Sequence, residues 1–194
     1  MELEWYYYPE QYKQMREFTK DHVMHILHED GNYRHLRFQK PGTGIYHFDI
    51  ITWPGSLVIR GDVGEGYVFT RELDMLRWFD HGQAIGHINA HYWSEKLDLG
   101  RNSVKEFSEK KFIAWLDQLS EDGIYVDRDF VERWSPSVSD LDEAIEFCAE
   151  HGIEWDSDDP ENWTDYNYHF ILALHCILWG AQIYNKSREK VNDR

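Results

Sequence analysis

The amino-acid sequence predicts an α+β fold: an N-terminal helix, an antiparallel meander of three or four strands, and a helical C-terminal half. Three observations carry this prediction. Apolar residues recur every three or four positions over residues 9–30. Between 33 and 70 the pattern changes to short runs rich in β-branched and aromatic residues, parted by Pro-Gly and Gly-Asp turns. Beyond residue 103 the helical spacing returns in three further segments.

Residues 9–30 read as the first helix. Pro9 suits a first turn, where its missing N–H has no helical partner to lose, and Gly31 stops the run. Tyr12, Met15, Phe18, Val23, Ile26 and Leu27 fall mostly at spacings of three and four. Four strand-like runs follow, at 33–39, 45–52, 56–60 and 66–70. Lys40-Pro41-Gly42-Thr43-Gly44, Trp53-Pro54-Gly55 and Gly61-Asp62-Val63-Gly64-Glu65 separate them. Connections this short join antiparallel neighbours, because a parallel crossover needs a dozen or more residues. One face of such a sheet must be covered, and the helices supply the cover. Residues 71–80 begin a second helix that ends near His81-Gly82. Ser103-Val104-Lys105-Glu106 has the spacing of a capping box, so a third helix is expected from Ser103 to Gly123. It would present Phe107, Phe112, Ile113, Trp115, Leu116 and Leu119. A short element is expected over 124–134. Residues 139–151 read as a fourth helix with Leu141, Ile145, Phe147 and Cys148 inward and Gly152 closing it. Residues 165–190 form the last, and its broad apolar face marks it as central to the core. No repeat, low-complexity tract or Ser/Gly linker divides the sequence, so residues 1–194 read as a single domain.

Hydrophobic residues make up 42% of the chain and aromatics 16%, which is ample for a packed core. Cys148 and Cys176 both lie on apolar helical positions and read as buried free thiols in a reducing compartment. Met1-Glu2-Leu3-Glu4-Trp5 has neither the basic stretch nor the apolar core of a secretory signal. No apolar run approaches the roughly 18–20 residues of a membrane span. A cytoplasmic protein is expected.

The formal charge is −16. Charge of that size repels nucleic-acid phosphates and anionic membranes, and it favours a basic protein partner. Between 135 and 165 stand eleven acids and no Lys or Arg. Asp140, Asp142 and Glu143 lie near a helix N-terminus, where negative charge is favourable. The loop that follows interleaves carboxylates with two Trp, a residue type enriched among interface anchors. The expected partner-binding residues are Glu150, Glu154, Trp155, Asp156, Asp158, Asp159, Glu161 and Trp163. The alternative is a solvated face whose Trp residues tuck back into the core. A calcium loop is excluded, because its sixth position, counted from Asp156, needs Gly and holds Glu161.

Catalytic patterns are sparse. His87 and His91 have the i, i+4 spacing of a helical metal pair, but Ile88 stands where the zinc-protease motif needs Glu. His22, His25 and His28, spaced by three, are only loosely aligned on a helix. Asp49, Asp62 and His47 lie in or beside the meander and form an alternative site for acid–base chemistry if they converge. Gly61-Asp62-Val63-Gly64-Glu65-Gly66 joins two strands and carries no Lys, so it reads as a turn, not a phosphate loop. No cysteine belongs to a C-x-x-C pair, and no Gly-x-Ser-x-Gly elbow is present. No cofactor is expected, and binding is expected over catalysis.

The segment Phe48-Asp49-Ile50-Ile51-Thr52-Trp53-Pro54-Gly55-Ser56-Leu57-Val58-Ile59-Arg60-Gly61-Asp62-Val63-Gly64 resembles a group of proteins encoded by bacteriophages and prophages. Tyr67-Val68-Phe69-Thr70-Arg71, Asp74-Met75-Leu76 and the closing Ile177-Leu178-Trp179-Gly180-Ala181-Gln182-Ile183-Tyr184 are similar to theirs as well. The group brings no catalytic residues to carry over. The resemblance implies a small accessory phage protein acting in the host cytoplasm. Such a protein would bind and inhibit a basic host protein, for example a nucleic-acid-dependent defence complex such as a CRISPR effector. The alternatives are a small metal-dependent enzyme or ligand-binding protein with its site at the meander, and a self-associating assembly protein.

Overall fold

The computed structural model describes residues 8–82, 84–121 and 138–192. Two compact units form: one from residues 1–104 and 168–194, the other from residues 105–167 inserted between them in the chain. They are called here the sheet unit and the inserted unit.

The sheet unit opens with α1 (Pro9–Thr19), followed by a five-stranded antiparallel meander in sequence order. Its strands are β1 (Val23–Asp30), β2 (Tyr33–Gln39), β3 (Phe48–Trp53), β4 (Ser56–Gly61) and β5 (Gly64–Thr70). The four expected strands are present, and a fifth comes from a segment expected to be helix. The helix stops at Thr19, whose hydroxyl donates back to the Met15 carbonyl at 2.7 Å. Residues 23–30 then pair with β2 through the two-residue loop Gly31-Asn32. Strand pairing wins here because the tight turn at Gly31-Asn32 lays residues 23–30 beside β2, whose backbone groups complete the ladder. The new edge strand skips one pairing at Leu27, between Ile26 and His28, and a bulge of this kind is a common feature of sheet edges.

Alternation along the strands sends Leu36, Phe38, Phe48, Ile50, Leu57, Ile59 and Phe69 to one face, all buried. The C-terminal helix, Tyr168–Asn192, lies across that face. Phe38 meets Trp179 edge-on at 5.3 Å, and Tyr67 meets Phe170 at 5.4 Å. A Cβ on Gly180 would stand 2.7 Å from Ile50 Cδ1, so glycine is what lets this helix approach so closely. Two short helices, α2 (Met75–Phe79) and α3 (Ala90–Ser94), follow the sheet.

The inserted unit begins and ends on a two-stranded pairing, β6 (Lys105–Phe107) with β7 (Thr164–Tyr166). Between them lie α4 (Glu109–Glu121), α5 (Leu141–Glu150) and the short α6 (Asp159–Asn162); the C-terminal helix is therefore α7. The expected capping box at Ser103 does not form: residues 101–104 make a 3-10 turn and Glu106 enters β6. The cap of α4 is Ser108, whose hydroxyl accepts from the Lys111 N–H. Likewise β7 takes the first residues expected in the last helix, since pairing with β6 satisfies backbone groups that a frayed first turn would leave open. Asp140 caps α5 by accepting from the Glu143 N–H at 2.9 Å. Phe112, Leu116, Phe147, Cys148 and Trp163 form the core of this unit. The element expected over 124–134 lies outside the described residues.

Candidate functional site

Charge divides unevenly between the two units. Residues 105–167 hold 19 acids against 5 Lys and Arg, while the rest of the chain holds 17 against 15. The inserted unit thus carries −14 of the total −16. Its acids concentrate on α5 and the loop to β7, where Glu150, Glu154, Asp156 and Asp158 are exposed. Two carboxylates build the loop itself: Asp159 Oδ2 accepts from the Asp156 N–H at 3.0 Å, and Asp156 Oδ1 accepts from the Asp158 N–H at 3.1 Å. Glu161 pairs with Lys105 at 2.9 Å, and Asp165 with Lys111 at 3.4 Å. Both of these lysines are therefore spent at the base of the loop.

The two Trp residues part company. Trp155 is 40% exposed, whereas Trp163 is fully buried against Phe112 and Trp115 at ring distances of 5.0 and 4.8 Å. The expectation that Trp163 meets a partner is corrected: it forms the floor beneath the loop. Its carbonyl accepts from the Ser108 N–H at 2.8 Å, tying the loop's end to the start of α4. Apolar burial outweighs the unpaired indole N–H, which finds no acceptor among the described residues.

The alternative site at the meander separates into two pairs. His47 Nδ1 lies 3.3 Å from Asp62 Oδ2, half-exposed beside the turn. Asp49 turns instead to Arg37, which donates to both of its oxygens at 2.7 and 2.9 Å, with His35 3.2 Å away. Burial raises the Asp49 pKa, but the hydrogen bonds from Arg37 and the nearby His35 more than offset this, and the group ends below its ordinary value. A carboxylate held ionised with both oxygens occupied is a poor general base.

The weak metal candidate His87/His91 gains no support from the structure. His87 precedes α3, which starts at Ala90 under an Asn89 cap, so the two imidazoles never share a helical face. His91 sits 3.6 Å from Glu95. His25 and His28 belong to β1, not to a helix. Among the described residues, no three His, Cys, Asp or Glu side chains converge as metal ligands. Both cysteines are free and buried, and burial pushes the Cys148 thiol up to about 11, far from nucleophilic use.

One feature escaped sequence reading. A cleft of about 570 Å3 opens between α2 and α3, with Trp78, Tyr92 and Trp93 on one side and Arg77, His81 and Asn89 among its polar groups. Behind it, Arg34 is buried and donates to both Asp74 oxygens at 3.0 and 2.9 Å and to the Tyr184 hydroxyl at 3.2 Å. Tyr184 in turn donates to Glu29, which also pairs with Arg188. This network fixes the wall of the cleft that Asp74 forms. Arg77, Trp78, Tyr92 and Trp93 come from two five-residue helices and the other lining residues from the segments flanking them, all too short to leave a periodic trace in the sequence.

Fold and surface together define an α+β protein that carries a strongly acidic inserted unit. No protein-family profile, no curated protein and no solved structure matches the chain. Among the described residues, no helix is long and apolar enough to cross a membrane.

Proposed function

We propose that the protein is a phage-encoded accessory factor of the host cytoplasm that binds and inhibits a basic host protein, such as a nucleic-acid-dependent defence complex. The contact surface is the acidic face of the inserted unit, with Glu150, Glu154, Asp156 and Asp158 around the exposed Trp155. The observation that carries this reading is the segregation of charge: −14 on residues 105–167 against −2 on the remainder. Solubility alone would be served by acids spread over both units. Leaving the acids of one unit almost without compensating Lys and Arg makes a concentrated field that steers a basic surface toward Trp155. The phage context rests on the resemblance of residues 48–64.

The test is affinity capture from bacterial lysate, washed over a salt series, with the wild-type chain and an E150K/E154K/D158K variant. These three acids are chosen because the carboxylates of Asp156 and Asp159 hold the loop. A basic nucleic-acid-binding protein retained at low salt and released as salt rises is expected, since exposed charge pairing is screened. The variant should lose it. Equal capture by the variant would sink the proposal.

A further inference from the structure

We infer that the cleft between α2 and α3 binds a small molecule that joins a planar ring to an anionic group. This goes beyond the acidic-surface reading and rests on the sheet unit alone. The volume of about 570 Å3 falls inside the range of roughly 300–1,000 Å3 that small-molecule sites occupy. Trp78 and Tyr92 stand 5.8 Å apart at a 47° tilt, and buried Trp93 backs Trp78 at 6.4 Å. The rings form a stiff, angled wall against which one planar ring can lie.

The polar groups select the other end of the ligand. Asp74 lines the cleft, but Arg34 occupies both its oxygens and its Oδ1 also accepts from the Arg77 N–H. The Asn89 side-chain oxygen is taken by the Tyr92 N–H, which leaves its amide N–H groups to donate. Arg77 lines the cleft and makes no ion pair with any described residue, so its guanidinium is free to pair with a ligand. His81 adds a further ring nitrogen beside it. Against these donors stands Glu72 at the mouth, 3.9 Å from the Arg71 Nε. Donors exceed acceptors, and a guanidinium fork matches a carboxylate or phosphate in two parallel hydrogen bonds. An adjoining cleft of about 430 Å3 shares Asp74, Arg77 and His81 and runs on past Asp80, which accepts from Asn185, to Glu189 and to Arg188, which pairs with Glu29. Arg77 stands where the two meet and holds the anionic group on the aromatic side, since Asp80 and Glu189 make the adjoining cleft unfavourable to further negative charge.

A nucleotide and an aryl carboxylate share this chemistry, and the experiment separates them. Isothermal titration of the full chain uses two matched pairs, adenosine monophosphate with adenosine and indole-3-acetate with indole. At least one anionic probe is expected to bind at or below about 1 mM and about tenfold more tightly than its neutral partner. Whichever pair shows the difference names the source. Arg77→Gln should erase the preference while leaving the weak neutral binding as it was, and Tyr92→Ala should weaken both members of the pair. Both side chains are exposed, so unchanged melting temperatures will certify the fold. The inference is overturned if no probe binds at about 1 mM, if neutral probes bind equally well, or if Arg77→Gln retains the preference.

Discussion

Replacing Trp163 and Trp155 separately by Ala distinguishes support of the acidic loop from contact with a partner. Burying a Trp removes about 200 Å2 from water, worth about 5 kcal/mol at about 25 cal/mol per Å2. Part of that area is already hidden in the unfolded chain, so the expected loss at fully buried Trp163 is about 4 kcal/mol, and an internal cavity adds to it. Trp155, with 40% of its surface in water, should lose about 2 kcal/mol and leave no cavity. The inserted unit runs from Lys105 to Asn167, and a unit of about 60 residues is stable by about 3–9 kcal/mol. Trp163→Ala thus takes it to the edge of unfolding, and Trp155→Ala does not. Hydrogen exchange read by mass spectrometry tests this together with partner capture. In Trp163→Ala, protection should fall across α4 and α5 while β2 to β4 keep theirs. In Trp155→Ala, protection should persist and capture should drop. Wild-type exchange in α4 and α5 of Trp163→Ala would refute the burial argument, and full capture by Trp155→Ala would refute its role as the contact.

Three further outcomes are expected. His175 is buried beside Tyr12, and burial pulls its imidazole down to about 4, only partly opposed by the Tyr8 backbone. The unfolded imidazole takes up a proton near pH 6.5 and the folded one does not, so stability is full above that pH and falls toward pH 4. The loss should be about 3 kcal/mol in urea denaturation and should be absent in His175→Leu. Asp74→Ala leaves the Arg34 guanidinium buried without its carboxylate and removes the cap of α2; because Asp74 is about a third exposed, the cost should be nearer about 2 than about 5 kcal/mol by denaturant midpoint. Gly61→Ala places a Cβ 2.5 Å from the His47 carbonyl oxygen and 2.9 Å from Phe48 Cα at φ +119°. Rigid backbone on both sides should make this cost about 3 kcal/mol, read by thermal melting, and a neutral result would mean the β3–β4 pairing yields more than its geometry suggests.

The sequence by itself determined the meander, most of the helices, the two buried thiols and the acidic bias. Alternation over 33–39 and 56–60, Pro-Gly turns and three-to-four spacing are local properties, legible wherever one face of an element must meet a core. The region 9–30 shows the limit of that reading. Its spacing fits a helix, but β2 offers an edge only in three dimensions, and the clue was Gly31-Asn32 set between two runs of similar length. The capping-box spacing at Ser103 failed for the same reason, because residues 105–107 find partners at 164–166, which lie nearly sixty positions away in the chain. Trp155 and Trp163 stand in one acidic loop and look alike by composition; the path of the chain over Phe112 and Trp115 decides that one is floor and the other surface. Asp49 was legible as a charged residue in a strand, but not that Arg37 would occupy both its oxygens. The cleft at Arg77 was not legible at all. Periodicity belongs to a segment, whereas pairing, burial and the neutralisation of a charge belong to whichever distant segment folding brings beside it.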